Sequence, residues 1–158
     1  MKTQKIPLLD FDDDDEKITL GLVRLAKEIA DYELFFQINL LNSFNFTRIS
    51  DLAITGDHFD HSFTRYEAFH PDSKVCIHFI ANKSSSYVQK KISTELFAEE
   101  QETKYLLDHF QDVDYLIKTS EPFGDFSLIL LPEQLLFQVQ NFELEVYEEL
   151  YHIIQYYE

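Results

Sequence analysis

Five consecutive residues, Asp57-His58-Phe59-Asp60-His61, set two imidazoles three positions apart among two carboxylates. Neutral imidazole nitrogens and carboxylate oxygens are donors that a divalent ion such as zinc accepts, so the run has the composition of a metal site. A polar loop ahead of a hairpin accounts for the same side chains, and both readings stay open here. Nucleophilic chemistry finds no such setting, because the chain has neither a Gly-x-Ser-x-Gly elbow nor a cysteine-centred signature. His78 falls in a predicted strand, and His109 and His152 in predicted helices, where histidines are more often packed or surface groups than bases. The absence of a Walker lysine loop and of a dinucleotide glycine fingerprint argues against nucleotide chemistry. No catalytic, cofactor-binding or metal residue is assigned.

Asp10-Phe11-Asp12-Asp13-Asp14-Asp15 offers carboxylates at alternate positions, as calcium requires. Its sixth position is Asp15 instead of a turn glycine, and its twelfth is Gly21 instead of a bidentate glutamate, so an EF-hand loop does not fit. The run continues to Glu16, and its self-repulsion predicts a loop or flexible segment over about 10–16. Acid is also concentrated at the other end. From Thr94 to Glu158 fifteen acidic residues face only Lys104 and Lys118, which leaves −13 of the formal net charge of −16. Such a potential repels nucleic acid and anionic lipid and attracts basic proteins. Lys90-Lys91 and Arg48 are isolated, so no basic stripe interleaved with aromatics can be assembled for single strands.

The chain has 158 residues, 45% of them apolar, with fifteen Phe and nine Tyr, enough for one globular domain over 1–158 with its own core. Three Gly and four Pro leave few natural breaks for a linker. The lone cysteine, Cys76, lies between Val75 and Ile77 and reads as a small buried hydrophobe; with no second cysteine, a reducing, cytoplasmic setting is predicted. No run approaches the roughly 20 apolar residues of a membrane span.

The elements that would position these groups follow from periodicity. Ile18, Leu20 and Leu22 alternate with Thr19 and Gly21, predicting a strand to about Arg24. Asp31 can cap a helix in which Leu34, Phe35, Ile38 and Leu41 recur on one side, with Asn39 and Asn42 toward the other, ending near Ser43. Phe63 to Phe69 and Lys74 to Ala81, joined by His70-Pro71-Asp72-Ser73, predict a hairpin. After a polar stretch around Asn82 to Ser86, a short strand over Tyr87 to Ile92 and a helix over Ala98 to Phe110 are expected. Another strand runs through Val113, Tyr115 and Ile117 to about Ser120, before Pro122. Pro132 is suited to open a final helix carrying Leu135, Val139, Phe142, Val146, Leu150, Ile153 and Tyr157 on one stripe. That stripe packs on the sheet or, alternatively, forms a homodimer through the C-terminal helix.

Two resemblances follow from these residues. Residues 56–61 are similar to the His-x-His-x-Asp-His signature of metallo-β-lactamase-like hydrolases, with Gly56 in place of the first histidine. That likeness implies the alternative function, a metal-dependent hydrolase centred on Asp57 to His61. Val113-Asp114-Tyr115, followed by Leu116-Ile117-Lys118, resembles the IPExxxVDY family of small Bacteroidetes-type bacterial proteins. Leu107-Asp108-His109 stands where the motif's first half belongs, and Asp31-Tyr32-Glu33-Leu34, Asn39, Arg48 and Asp51-Leu52 add to the likeness. The resemblance implies one cytoplasmic α+β domain and transfers no catalytic residue. The sequence thus predicts an α+β fold, a single antiparallel or mixed sheet with helices packed on one face and a long C-terminal helix. The expected function is a non-catalytic protein-interaction module that turns its acidic C-terminal half toward a basic protein partner.

Overall fold

The computed structural model describes residues 18–89, 103–120, 126–145 and 148–156. The acidic segment 10–16, the end of the strand expected over Tyr87 to Ile92 (90–92) and the start of the helix expected over Ala98 to Phe110 (98–102) lie outside them. Seven strands, β1 (Ile18–Val23), β2 (Thr47–Thr55), β3 (Phe59–His70), β4 (Val75–Ala81), β5 (Ser86–Gln89), β6 (Tyr115–Thr119) and β7 (Gln140–Leu144), form one sheet. Every pairing is antiparallel, in the order β2-β3-β4-β6-β1-β7. The twelve residues of β3 carry β4 along Arg65–His70 and β5 along Phe59–Ser62, so these two follow each other down one edge.

Side chains alternate across a strand, and here both faces are buried. On the first face Val23, Tyr66, Ile77, Phe79, Tyr115 and Ile117 pack beneath α1 (Asp31–Leu41) and the segment bearing Phe126, Ile129, Leu135 and Leu136. On the second, Leu20, Leu22, Leu116 and Leu144 meet Leu107, Val113 and, from α2 (Glu149–Tyr156), Leu150, Tyr151 and Ile154. Leu52, Phe63 and Ile80 extend that second core, with Ile153 of α2 against them. Helix α1 is held by aromatic contacts: Phe35 stacks on Tyr66 at 3.8 Å and meets Phe79 and Tyr115 edge-on. Burial, reinforced by the nearby Asp31 carboxylate, pushes the Tyr66 hydroxyl up to about 12, so it stays protonated.

The expected α+β arrangement is overturned. The fold is mainly one antiparallel sheet, and the two α-helices among the described residues, of eleven and eight residues, lie on opposite faces. No long C-terminal helix forms among the described residues. Pro132 starts only a turn, in which Leu135 and Leu136 donate to its carbonyl; Phe137 then donates to Arg24 O and the chain runs on as β7 beside β1. β1 is apolar on both faces and gains a second ladder this way, which outweighs the helical spacing of one stripe. Phe142 and Leu144 alternate with Asn141 and Glu143, so the strand period was present in the same residues. Of the stripe through which a homodimer was expected, Leu150 is buried in the second core and Ile153 packs against Leu52, Phe63 and Ile80. Residues 103–110 likewise form no α-helix, only a 3₁₀ turn at Asp108–Phe110. Gly21 makes room where the 126–139 segment crosses β1: a Cβ there would lie 3.0 Å from Val139 Cγ1 and 3.1 Å from Phe126 Cδ2, so those side chains would have to give way by a few tenths of an ångström.

Asn82, read from sequence as part of a polar stretch, is fully buried at the jog between β4 and β5. Its Nδ2 donates to Phe110 O at 2.9 Å and Val113 O at 3.0 Å, and its Oδ1 accepts Leu107 N at 2.8 Å. Its backbone donates to Asp114 O and accepts from Leu106 N. One amide thus satisfies the turns of the 106–114 segment, whose buried polar groups would otherwise lack partners. On the second face His78 Nε2 lies 2.8 Å from Glu67 Oε2. Burial lowers the His78 pKa, Glu67 offsets this, and Lys118 and Arg65 add to the lowering.

Two outcomes follow. Asn82→Ala strips the side-chain partners from Leu107 N and Val113 O, leaves Phe110 O only its bond from Val113 N, and should cost about 3 kcal/mol or more in urea unfolding. Asn82→Asp should also destabilise, because it aims a carboxylate oxygen at two carbonyls. An Asn82→Ala loss below about 0.5 kcal/mol, the range of ordinary surface changes, would contradict this role. His78 holds its proton less tightly folded than unfolded, so it contributes stability above the ordinary value of about 6.5, lost as pH falls through the lower folded value. Melting from pH 7 to 5 should therefore cost the natural protein more than His78→Gln, which keeps a donor for Glu67 but does not titrate. Equal losses would rule His78 out as a contributor.

Candidate functional site

The β2–β3 turn holds the residues with a metal-site composition. Gly56 N donates to Phe59 O at 2.9 Å and closes the turn, with Asp57 exposed and His58 half-buried at its tip. Asp60 and His61 are neighbours in β3 and therefore point to opposite faces. His61 is buried on the second face and, with Asp57, lines a cleft of about 960 Å³ together with Lys83, Lys104, Asp108 and Glu149. The four sequence candidates are thus not brought together. Among the described residues no group of three His, Cys, Asp or Glu side chains stands close enough to hold a metal ion. The cleft instead mixes both signs of charge.

The Val113-Asp114-Tyr115 segment is built into the scaffold. Asp114 Oδ2 accepts Leu25 N at 2.7 Å, its backbone N donates to Val23 O, and Val113 and Tyr115 are buried in opposite cores. Burial raises the Asp114 pKa and the Leu25 bond partly counters it. Beside it Arg24 bonds Asp112 at 2.6 Å and Gln140 at 2.7 Å, and that bond holds the Asp112 carboxyl below its usual range. Asp114 therefore brackets the end of β1 against the start of β6.

The carboxylates of the C-terminal half differ in setting. Asp108, Glu133, Glu143 and Glu149 are exposed, Asp112 is engaged by Arg24, and Glu148 Oε2 accepts Glu145 N at 2.7 Å. They reach both sides of the sheet: Glu133 and Asn141 line a cleft with Phe126 and Phe137, while Asp108 and Glu149 line one beside α2. His109 and His152 are exposed, and Cys76 is a half-buried free thiol. No helix of the described residues is long and apolar enough to cross a membrane.

Sequence reasoning missed the outer face of α1. Leu34, Phe35 and Ile38 are buried as the periodicity predicts, but Leu41 is 45% exposed, and Tyr32, Phe36 and Leu40 are 66%, 60% and 65% exposed. The signal was available, since Tyr32, Leu34, Phe35, Phe36, Ile38, Leu40 and Leu41 surround the helix instead of forming one stripe. Asn39 and Asn42 are not idle on the far side either. Asn39 pairs with both backbone groups of Phe46, and Asn42 with both of Leu130, so the helix is pinned at its C-terminal end.

No family model matches this chain, no curated protein matches its sequence, and no solved structure matches its fold.

Proposed function

We propose that this chain is a non-catalytic protein-interaction module that meets a basic protein partner in the cytoplasm. The observation that carries the reading is the exposure of Asp108, Glu133, Glu143 and Glu149 on a chain of formal net charge −16. Lys104 and Lys118 alone offset the fifteen acids of its last 65 residues. An uncompensated field of that size steers cationic surfaces toward the molecule and keeps nucleic acid and anionic lipid away. The free Cys76 thiol supports the cytoplasmic placement. Membership in the IPExxxVDY group belongs to the same proposal. The bracket formed by Asp114 supports a structural reading of that motif, with no catalytic residue in it.

Pull-down from host lysate in about 0.1 M and about 1 M salt tests this, because the Debye length falls from about 10 Å to about 3 Å between them. Basic proteins should be retained at the lower salt, released at the higher, and recovered several-fold less with Asp108→Asn, Glu133→Gln and Glu149→Gln combined. Recovery indifferent to salt and to these changes, or of no basic protein at all, overturns the proposal.

A further inference from the structure

We propose that the outer face of α1 docks a basic amphipathic segment of another protein, with apolar side chains on Tyr32, Phe36 and Leu40 and Lys or Arg in the cleft bounded by Glu28 and Glu33. This rests on the reading of the chain as a module for basic partners and adds the surface and the pattern that the partner must carry.

Four-residue spacing places Tyr32, Phe36 and Leu40 in one row, about 12 Å long at 1.5 Å per residue. Single exposed apolar residues are ordinary, whereas a row of three large ones, extended by Leu41 and by Leu130 beside the helix end, forms a patch. Glu33 and Gln37 lie one residue further along, in the adjacent row. They line a cleft of about 480 Å³ between α1 and the turn at Pro132, with Glu28, Gln134 and Lys27. An apolar ridge thus runs beside a cleft whose two carboxylates exceed its one lysine, and α1 itself carries no Lys or Arg.

Charge decides among occupants. A second copy would bring a formal −16 against −16, and an apolar lipid surface carrying anionic headgroups would be repelled in the same way. A cationic segment with an apolar side is attracted by the field and offers what both ridge and cleft lack. A helix fits the straight row, since its own apolar residues recur every three or four positions and pack against such a ridge.

The probe is a synthetic peptide of about eighteen residues, five helical turns, with leucine at helical spacing and lysine at the remaining positions. A matched peptide with glutamate for lysine is the control. Binding to the full chain is followed by calorimetry, and sedimentation velocity follows self-association. The lysine peptide should bind, the glutamate peptide should not, and Phe36→Ser should weaken binding about tenfold or more. Glu28→Gln with Glu33→Gln should weaken it several-fold and reduce its salt dependence. Melting curves verify that the exposed-site variants fold, and Phe36→Gln replaces Phe36→Ser if that variant does not. Lysine-peptide binding unchanged by Phe36→Ser, Tyr32→Ser and Leu40→Ser together places the contact elsewhere; it overturns this inference and leaves the basic-partner reading standing. Failure to bind both this peptide and polylysine overturns the two together. Self-association that Phe36→Ser abolishes assigns the face to a second copy and also overturns the inference.

Discussion

One buried amide holds the middle of this molecule together. β3 is longer than β4, and the chain that pairs with its remaining length must first step aside to admit the 106–114 segment. Asn82 sits at that step with no exposed surface, and its side chain bonds Leu107, Phe110 and Val113. Without these bonds the turn that delivers Val113 and Asp114 to β6 would bury unsatisfied groups. β6 in turn separates β4 from β1, so the join between the two halves of the sheet depends on how that turn is set.

Around this join the apolar surplus of the sequence is divided between two cores. Aromatic rings dominate the α1 side, where Phe35, Phe46, Tyr66, Phe79 and Tyr115 touch one another, while leucine and isoleucine dominate the α2 side. A helix of eleven residues rarely holds its shape alone in water, and α1 gains its order from ring contacts beneath it and asparagine bonds at its end. Anchored in this way, it can leave large apolar side chains on its outer row without losing its place.

Much of the sheet was legible because its strands carry local signals. Alternation marked β1 and β6, and Pro71 with its polar neighbours marked the β3–β4 hairpin. The C-terminal region misled because the same residues satisfy two periods. Leu135, Val139 and Phe142 suit a helical stripe, yet Phe142 and Leu144 suit a strand, and only the need of β1 for a partner decides between them. Asn82 was illegible for a different reason: a polar residue beside Lys83 and three serines gives no local sign that distant carbonyls will enclose it. The histidines of the β2–β3 turn looked convergent because spacing along a chain is silent about which side of a strand each residue takes. The outer row of α1 was visible as excess apolarity, but helical spacing alone did not show which residues the core would leave outside.

β1 begins at Ile18, yet the strands on either side of it begin at Tyr115 and Gln140. During synthesis at 5–20 residues per second it therefore waits roughly 6–25 s for its last neighbour, with Leu20, Leu22 and Val23 uncovered. The β3–β4 hairpin can close long before that from local contacts, whereas ladders joining distant stretches form slowly. Until both neighbours have been made, β1 thus presents a sticky, unpaired apolar strand of the kind that chaperones shield in nascent proteins.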